Sequence, residues 1–146
     1  MVKSTNGGRS WRAMNSGIGR DKTVVDLAID PQTPTTLYAA SGRVFKTTDG
    51  GRSWRAANFA LADGEFAAAL AIDPRTPSTL YAATSSGDIT VIAGGIFRSV
   101  DAGATWRPFN QGLRPRDVNA LAIASTGNPL YAGTRGGGVL DYRFSG

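Results

Sequence analysis

Four carboxylates, Asp63, Glu65, Asp88 and Asp117, lie where the chain departs from its own recurring pattern. Two carboxylates held about 5–10 Å apart can carry out hydrolysis, one supplying a proton while the other attacks or activates water. Among them in sequence stand the cations Arg20, Lys22, Arg114, Arg116 and Arg135. Such groups can recognise an anionic or polyhydroxylated ligand, and a guanidinium adds bidentate geometry. Around this set the inventory is thin. The chain has no His, which removes the commonest general base and transition-metal ligand. It has no Cys, which removes disulfides, thiolate catalysis and Cys-based zinc sites. Glu65 is the only glutamate. No metal and no cofactor are expected.

The elements that must position these loops are set by an internal repeat, and repeats govern fold. Three segments share one signature: STNGGRSW over 4–11, TTDGGRSW over 47–54 and SVDAGATW over 99–106. They contain all three tryptophans, Trp11, Trp54 and Trp106, spaced 43 and 52 residues apart. A second signature alternates with the first. LAIDP over 27–31 and TLYA over 36–39 recur over 70–74 and 79–82, with a looser copy over 121–123 and 129–132. Tyr38, Tyr81 and Tyr131 therefore occupy one repeat position.

Each unit reads as four short strands. In the first unit they are Thr23 to Ile29, Thr36 to Ala40, Val44 to Thr48 and Ser53 to Ala57. The last two are joined through the Asp-Gly-Gly of 49–51, a hairpin signal because Gly supplies positive φ. The segment Ala60 to Leu70 has helical propensity, yet the repeat places Ala67 to Ile72 opposite the leading strand, and a strand is expected there. Four antiparallel strands in about 43 residues describe a β-propeller blade. The expected fold is all-β, with three blades: 1–20 combined with 117–146, then 21–60, then 64–112. One domain is expected, consistent with 146 residues and no linker-like stretch.

The Ser/Thr-x-Asp-x-Gly-x-Ser/Thr-Trp pattern resembles the Asp-box, or BNR repeat, of bacterial sialidases, the sortilin-type receptor domain, propeller-type photosystem II assembly factors and xyloglucan-cleaving glycosidases. The resemblance covers nearly the whole chain. Asn6 replaces the Asp of the first box, and Ala102 and Ala104 loosen the third. In those families the box is a fold element away from the active site, which implies structural roles for Ser4, Asn6, Gly8 and Trp11, for Thr47, Asp49, Gly51 and Trp54, and for Ser99, Asp101, Gly103 and Trp106. The residue chemistry agrees. A turn Asp or Asn accepts backbone N–H bonds, and the Trp ring packs between strands or blades. Arg12, Arg55 and Arg107 are read as solvent-facing, and the repeated tyrosines as core or interblade packing.

In propeller geometry the boxes share one face with the turns between the first two strands of each blade. The opposite face carries the interblade connections and the loops between second and third strands, and it holds every candidate carboxylate and cation named above. The loop between Tyr81 and Phe97 is longer than its counterpart between Tyr38 and Phe45, and its extra stretch, Ser85 to Ala93, is strand-like and suits a flap.

These features favour a non-catalytic binding or assembly scaffold with a carbohydrate or protein ligand. The alternative is a carbohydrate-binding or glycoside-hydrolase-like protein using the loop face. The net charge of +5 is spread through the repeat without a basic run, which argues against a nucleic-acid site. No apolar run is long enough for a membrane span, and no signal peptide is visible, so the compartment is open. Three blades do not close a ring. A homodimer is expected, in which each N-terminal strand completes the partner's last blade to give six. Val139 to Tyr142 is expected to hold the third-strand position in that blade.

Overall fold

A computed structural model describes residues 1–19, 22–57, 61, 65–86, 94–114 and 117–143. All of its regular elements are strands, and no helix among the described residues is long and apolar enough to cross a membrane. The first full sheet contains β3 (Asp26–Ile29), β4 (Leu37–Ser41), β5 (Arg43–Thr47) and β6 (Arg55–Ala56) in that order. The second contains β7 (Phe66–Ile72), β8 (Leu80–Ser85), β9 (Gly95–Ser99) and β10 (Arg107–Pro108). A third sheet has three strands, β11 (Val118–Ile123), β12 (Leu130–Thr134) and β13 (Gly138–Tyr142). Every neighbouring pair is antiparallel. The protein is an all-β chain built of β-propeller blades.

The N-terminus forms a small ribbon of β1 (Val2–Lys3) paired with β2 (Arg12–Ala13). It stands to the first sheet as the first sheet stands to the second. Lys3 Nζ donates to the Gly50 carbonyl at 3.0 Å, and Lys46 Nζ, one repeat later, donates to the Ala102 carbonyl at 2.9 Å.

Strand β7 settles the competition between helix propensity and repeat context. The strand pairs with β8 over six positions, and its Ala67, Ala69 and Ala71 lie between the other two sheets, where small side chains let both neighbours approach. One face joins a core with Tyr38, Val44 and Leu80, and the other a core with Tyr81, Leu130 and Val118. Burying each large apolar side chain contributes about 1.5–3 kcal/mol, and this outweighs the few tenths by which alanine favours a helix. A register shift between Ala67 and Ala69 leaves the Leu70 N–H to donate to Asp26 Oδ2 at 2.7 Å, which ties the innermost strands of the first two blades together.

Tyr38 and Tyr81 are both 1% exposed, as expected of core residues, whereas Tyr131 is 40% exposed. That expectation is corrected for Tyr131: no sheet covers its face of the third blade among the described residues. Trp54 is 3% exposed and Trp106 partly buried, but Trp11 is 61% exposed for the corresponding reason. Arg12, Arg55 and Arg107 are exposed, as expected.

Candidate functional site

The three signature turns share one hydrogen-bond plan. In the second, Thr47 Oγ1 donates to Asp49 Oδ1 at 2.7 Å and accepts the Gly51 N–H at 3.1 Å. Asp49 Oδ1 accepts the Ser53 N–H at 2.9 Å, and Oδ2 accepts the Ser53 hydroxyl at 2.6 Å. The third repeats this with Ser99, Asp101, Gly103 and Thr105. In the first, Ser4 and Gly8 play the same parts, and Asn6 Oδ1 accepts the Ser10 N–H at 2.9 Å. There the amide Nδ2 of Asn6 donates to the Ser10 hydroxyl, so the hydroxyl reverses its role to suit the amide. Hydrogen bonds from Ser53 and Thr47 hold the Asp49 carboxyl well below its ordinary range, and bonds from Thr105 and Ser99 lower Asp101 to about 2. Both oxygens of each carboxylate are engaged in fixing its own turn.

The turn also needs two consecutive left-handed residues. Gly7, Gly50 and Ala102 occupy the first of these positions with φ of 68°, 71° and 56°, followed by Gly8, Gly51 and Gly103. The alanine that loosens the third copy in sequence therefore keeps the turn geometry at the cost of backbone strain.

On the opposite face a cavity of about 900 Å3 opens where the first and second blades meet. Three segments wall it. The connections leading into β3 and β7 bring Lys22, Val25, Glu65 and Phe66, and the tight β4–β5 turn brings Ser41 and Arg43. The floor is apolar, with Phe45, Leu61 and Ala67.

Ser41 gives this cavity its distinguishing chemistry. Its residue is 4% exposed, and its Oγ has no hydrogen-bond partner among the described residues. The hydroxyls at the same repeat position in the other blades are both engaged. Thr84 Oγ1 donates to the Gly95 carbonyl at 3.4 Å, and Thr134 Oγ1 donates to the Gly138 carbonyl at 3.1 Å. Where those blades have Gly95 and Gly138, the first has Arg43, so one loop combines an unspent hydroxyl with an added cation.

Of the sequence candidates, the structure brings Lys22 and Glu65 to this cavity. Glu65 Oε1 accepts the Gly94 N–H at 2.7 Å, so the carboxylate also anchors the end of the long loop. Asp117 and Arg135 come together in the third blade with a 3.8 Å contact, and Asp117 Oδ1 accepts the Ser85 hydroxyl at 2.6 Å. Arg114 is exposed and lines neither place. Arg20, Asp63, Asp88 and Arg116 lie outside the described residues, as does most of the proposed flap. Sequence reasoning missed Ser41 and Arg43. Their signal was present as an Arg replacing a Gly at one position of the repeat.

No family model matches the chain, and no curated protein sequence matches it. Solved structures do. An ancestral GH74 enzyme superposes with a TM-score of 0.68 at 22% identity, covering 99% of this chain and 21% of the other. A GH74 enzyme from Niastella koreensis gives 0.63 at 22% identity, covering 82% and 21%. YCF48 bound to D1 peptide gives 0.62 at 14% identity, covering 86% and 38%. The chain thus spans about a fifth of the length of the two GH74 enzymes. These neighbours are β-propellers, and at such identities the likeness establishes the fold.

Proposed function

We propose that this chain is a non-catalytic binding scaffold of the Asp-box propeller type, which holds a protein segment in the cavity between Lys22, Ser41, Arg43 and Phe66. The single observation that carries the reading is the Ser41 hydroxyl, buried and unpartnered among the described residues at the wall of a polar-rimmed cavity while its two repeat counterparts are satisfied. A buried hydroxyl without a partner costs about 1–3 kcal/mol, which a ligand carbonyl or amide recovers. Lys22 and Arg43 supply positive charge for an acidic side chain, and Val25, Phe45 and Phe66 supply apolar contact. YCF48, a structural neighbour, is seen bound to a peptide. Among the ligand-face candidates this reading assigns ligand contact to Lys22 and a loop-anchoring part to Glu65. The division into blades 1–20 with 117–146, 21–60 and 64–112, and the pairing of two copies into one ring, belong to the same reading.

The alternative, a carbohydrate ligand, is favoured by the combination of an exposed aromatic ring, Phe66, with neighbouring hydroxyl and charged groups, and by the likeness to GH74 propellers. Hydrolysis is less well supported. The two described candidate carboxylates, Glu65 and Asp117, are both held by scaffold donors.

Arrays of short acidic and neutral peptides, a glycan array and aryl-glycoside hydrolysis, all applied to the same 146-residue chain, separate these readings. Acidic peptides are expected to bind, and Ser41→Ala with Arg43→Ala to abolish that binding at unchanged melting temperature. Binding confined to glycans favours the alternative. Glycoside turnover lost in Glu65→Gln overturns the non-catalytic reading.

A further inference from the structure

A groove of about 300 Å3 runs between the end of the second blade and the third, lined by Phe109, Leu113, Leu130, Ala132 and Leu140. At four positions its walls repeat the seats in which the other blades hold an indole, and Tyr142, where those blades have Thr47 and Ser99, sets its ring edge-on to Phe109. Trp54 packs in a cluster with Ile18, Leu37, Ala39 and Phe45. Trp106 packs against the cluster of Leu80 and Ala82, together with Leu61 and Phe97. One repeat later, the same four positions are Leu113, Leu130, Ala132 and Leu140, all at the groove.

The polar end of the seat is repeated too. Trp54 Nε1 donates to the Met14 carbonyl at 3.2 Å, and Trp106 Nε1 donates to the Ala57 carbonyl at 2.8 Å. The third residue of that series is Phe109. Beside each seat the chain turns through a connection that begins at Asn15 in the first case and Asn110 in the last. In the first, Gly17 is obligatory, because a Cβ there would lie 1.9 Å from the Trp54 carbonyl oxygen. Gly112 stands at the same place beside the groove, also at positive φ, with nothing within 4 Å of its ideal Cβ.

The chain also carries an indole without a seat. Trp11 is 61% exposed, and its ring lies over Gly8, with 3.9 Å from the ring to the ideal Cβ position, as Trp54 and Trp106 lie over Gly51 and Gly103. It is therefore already held in the orientation that the buried copies use. We infer that Trp11 of a second copy of this chain occupies the groove at Phe109 and Leu113, with its indole seated as Trp54 and Trp106 are in theirs. This rests on the homodimer reading and names its anchor.

Charge fits the same occupant. In the first two blades β6 and β10 set Arg55 opposite Lys46 and Arg107 opposite Arg98. With β13 kept in its place beside β12, where it makes five residue pairs, the same register sets Arg12 of the second copy opposite Asp141. A like-charged cross-strand pair is thus replaced by an opposite one. The present partner of β2 is β1, joined over only two residue pairs, and it is the strand that yields.

Sedimentation equilibrium of the 146-residue chain tests this. The wild type is expected near twice 15.2 kDa at micromolar concentration. Trp11→Ala, a change at an exposed site that leaves the fold intact, is expected to weaken association by at least about tenfold, as removal of a central aromatic anchor does. Asp141→Lys is expected to weaken it as well, with Trp11 untouched. Shielding of Trp11 from acrylamide should grow with protein concentration. A wild-type monomer overturns both the homodimer reading and its anchor. A dimer that survives Trp11→Ala with unchanged affinity overturns the anchor alone, and points to another occupant of the groove.

Discussion

The Tyr38 hydroxyl donates to the Ala102 carbonyl at 3.0 Å, across the junction of the first and second blades. Lys46 donates to the same oxygen, so two residues of one blade grip the left-handed corner of the next blade's turn. The left-handed corner of the third turn is thereby also an interblade contact.

Ala102→Gly should stabilise the chain. Relief of the left-handed strain is worth about 1–2 kcal/mol, and the greater unfolded-state freedom of Gly offsets about 0.4–1 kcal/mol of it. A net gain of about 0.5–1 kcal/mol in urea unfolding is expected. A loss of stability would mean that the alanine methyl makes a contact of its own.

Tyr38→Phe should cost about 0.5–1.5 kcal/mol, the ordinary net worth of one hydrogen bond. The lower end is expected because Lys46 keeps the Ala102 carbonyl satisfied. In double-mutant cycles Tyr38→Phe and Lys46→Met should therefore couple, with the second removal costing more than the first.

Stability should fall in strong alkali. Burial pushes the Tyr38 hydroxyl up to about 12 from an ordinary value near 10. The folded state holds that proton more tightly than the unfolded one. The contribution is complete below about pH 10 and is lost as pH rises through 12. Thermal melts in Tyr38→Phe should lack this limb.

On the acid side the sign is opposite. Asp49 and Asp101 are lowered by the hydroxyl and N–H donors of their turns. Their contribution is present above the unfolded carboxylate range, near pH 4, and fades as pH falls below it, through about 2 for Asp101 and lower still for Asp49. Asp49→Asn and Asp101→Asn should flatten this limb while preserving the turn, because Asn6 already fills the same place in the first copy. With no His or Cys, no side chain with an ordinary pKa titrates between about pH 5 and 8, and melting temperature should be nearly constant there.

Two buried serines should respond oppositely to truncation. Ser99 Oγ accepts the Gly103 N–H and donates to Asp101, so Ser99→Ala strands a buried amide and should cost about 1–3 kcal/mol. Ser41 Oγ has no partner among the described residues, so Ser41→Ala should leave unfolding within about 0.5 kcal/mol of wild type or improve it. A large loss at Ser41 would show that its hydroxyl serves the fold.

The sequence alone carried the blade plan, because that plan is written three times. The spacing of Trp11, Trp54 and Trp106, the turn residues around Asp49 and Asp101, and the tyrosine positions required four-stranded units and put the turns in structural roles, and the hydrogen bonds follow that plan even where Asn6 and Ala102 depart from it. A periodic pattern fixes what every copy does alike, since local turn geometry and strand alternation depend on near neighbours. What distinguishes one copy from another is set by contacts between blades, between residues about 40 or more positions apart. Only the tertiary structure could reveal that Ser41 is left unpartnered among the described residues where Thr84 and Thr134 are engaged, that Glu65 and Lys22 line one cavity while Asp117 meets Arg135, and that Trp11 lies exposed while a groove with matching walls runs past Leu113 and Leu130. Burial and hydrogen-bond satisfaction depend on what packs from the neighbouring sheet, and identical motifs acquire different environments at the middle and the ends of an array.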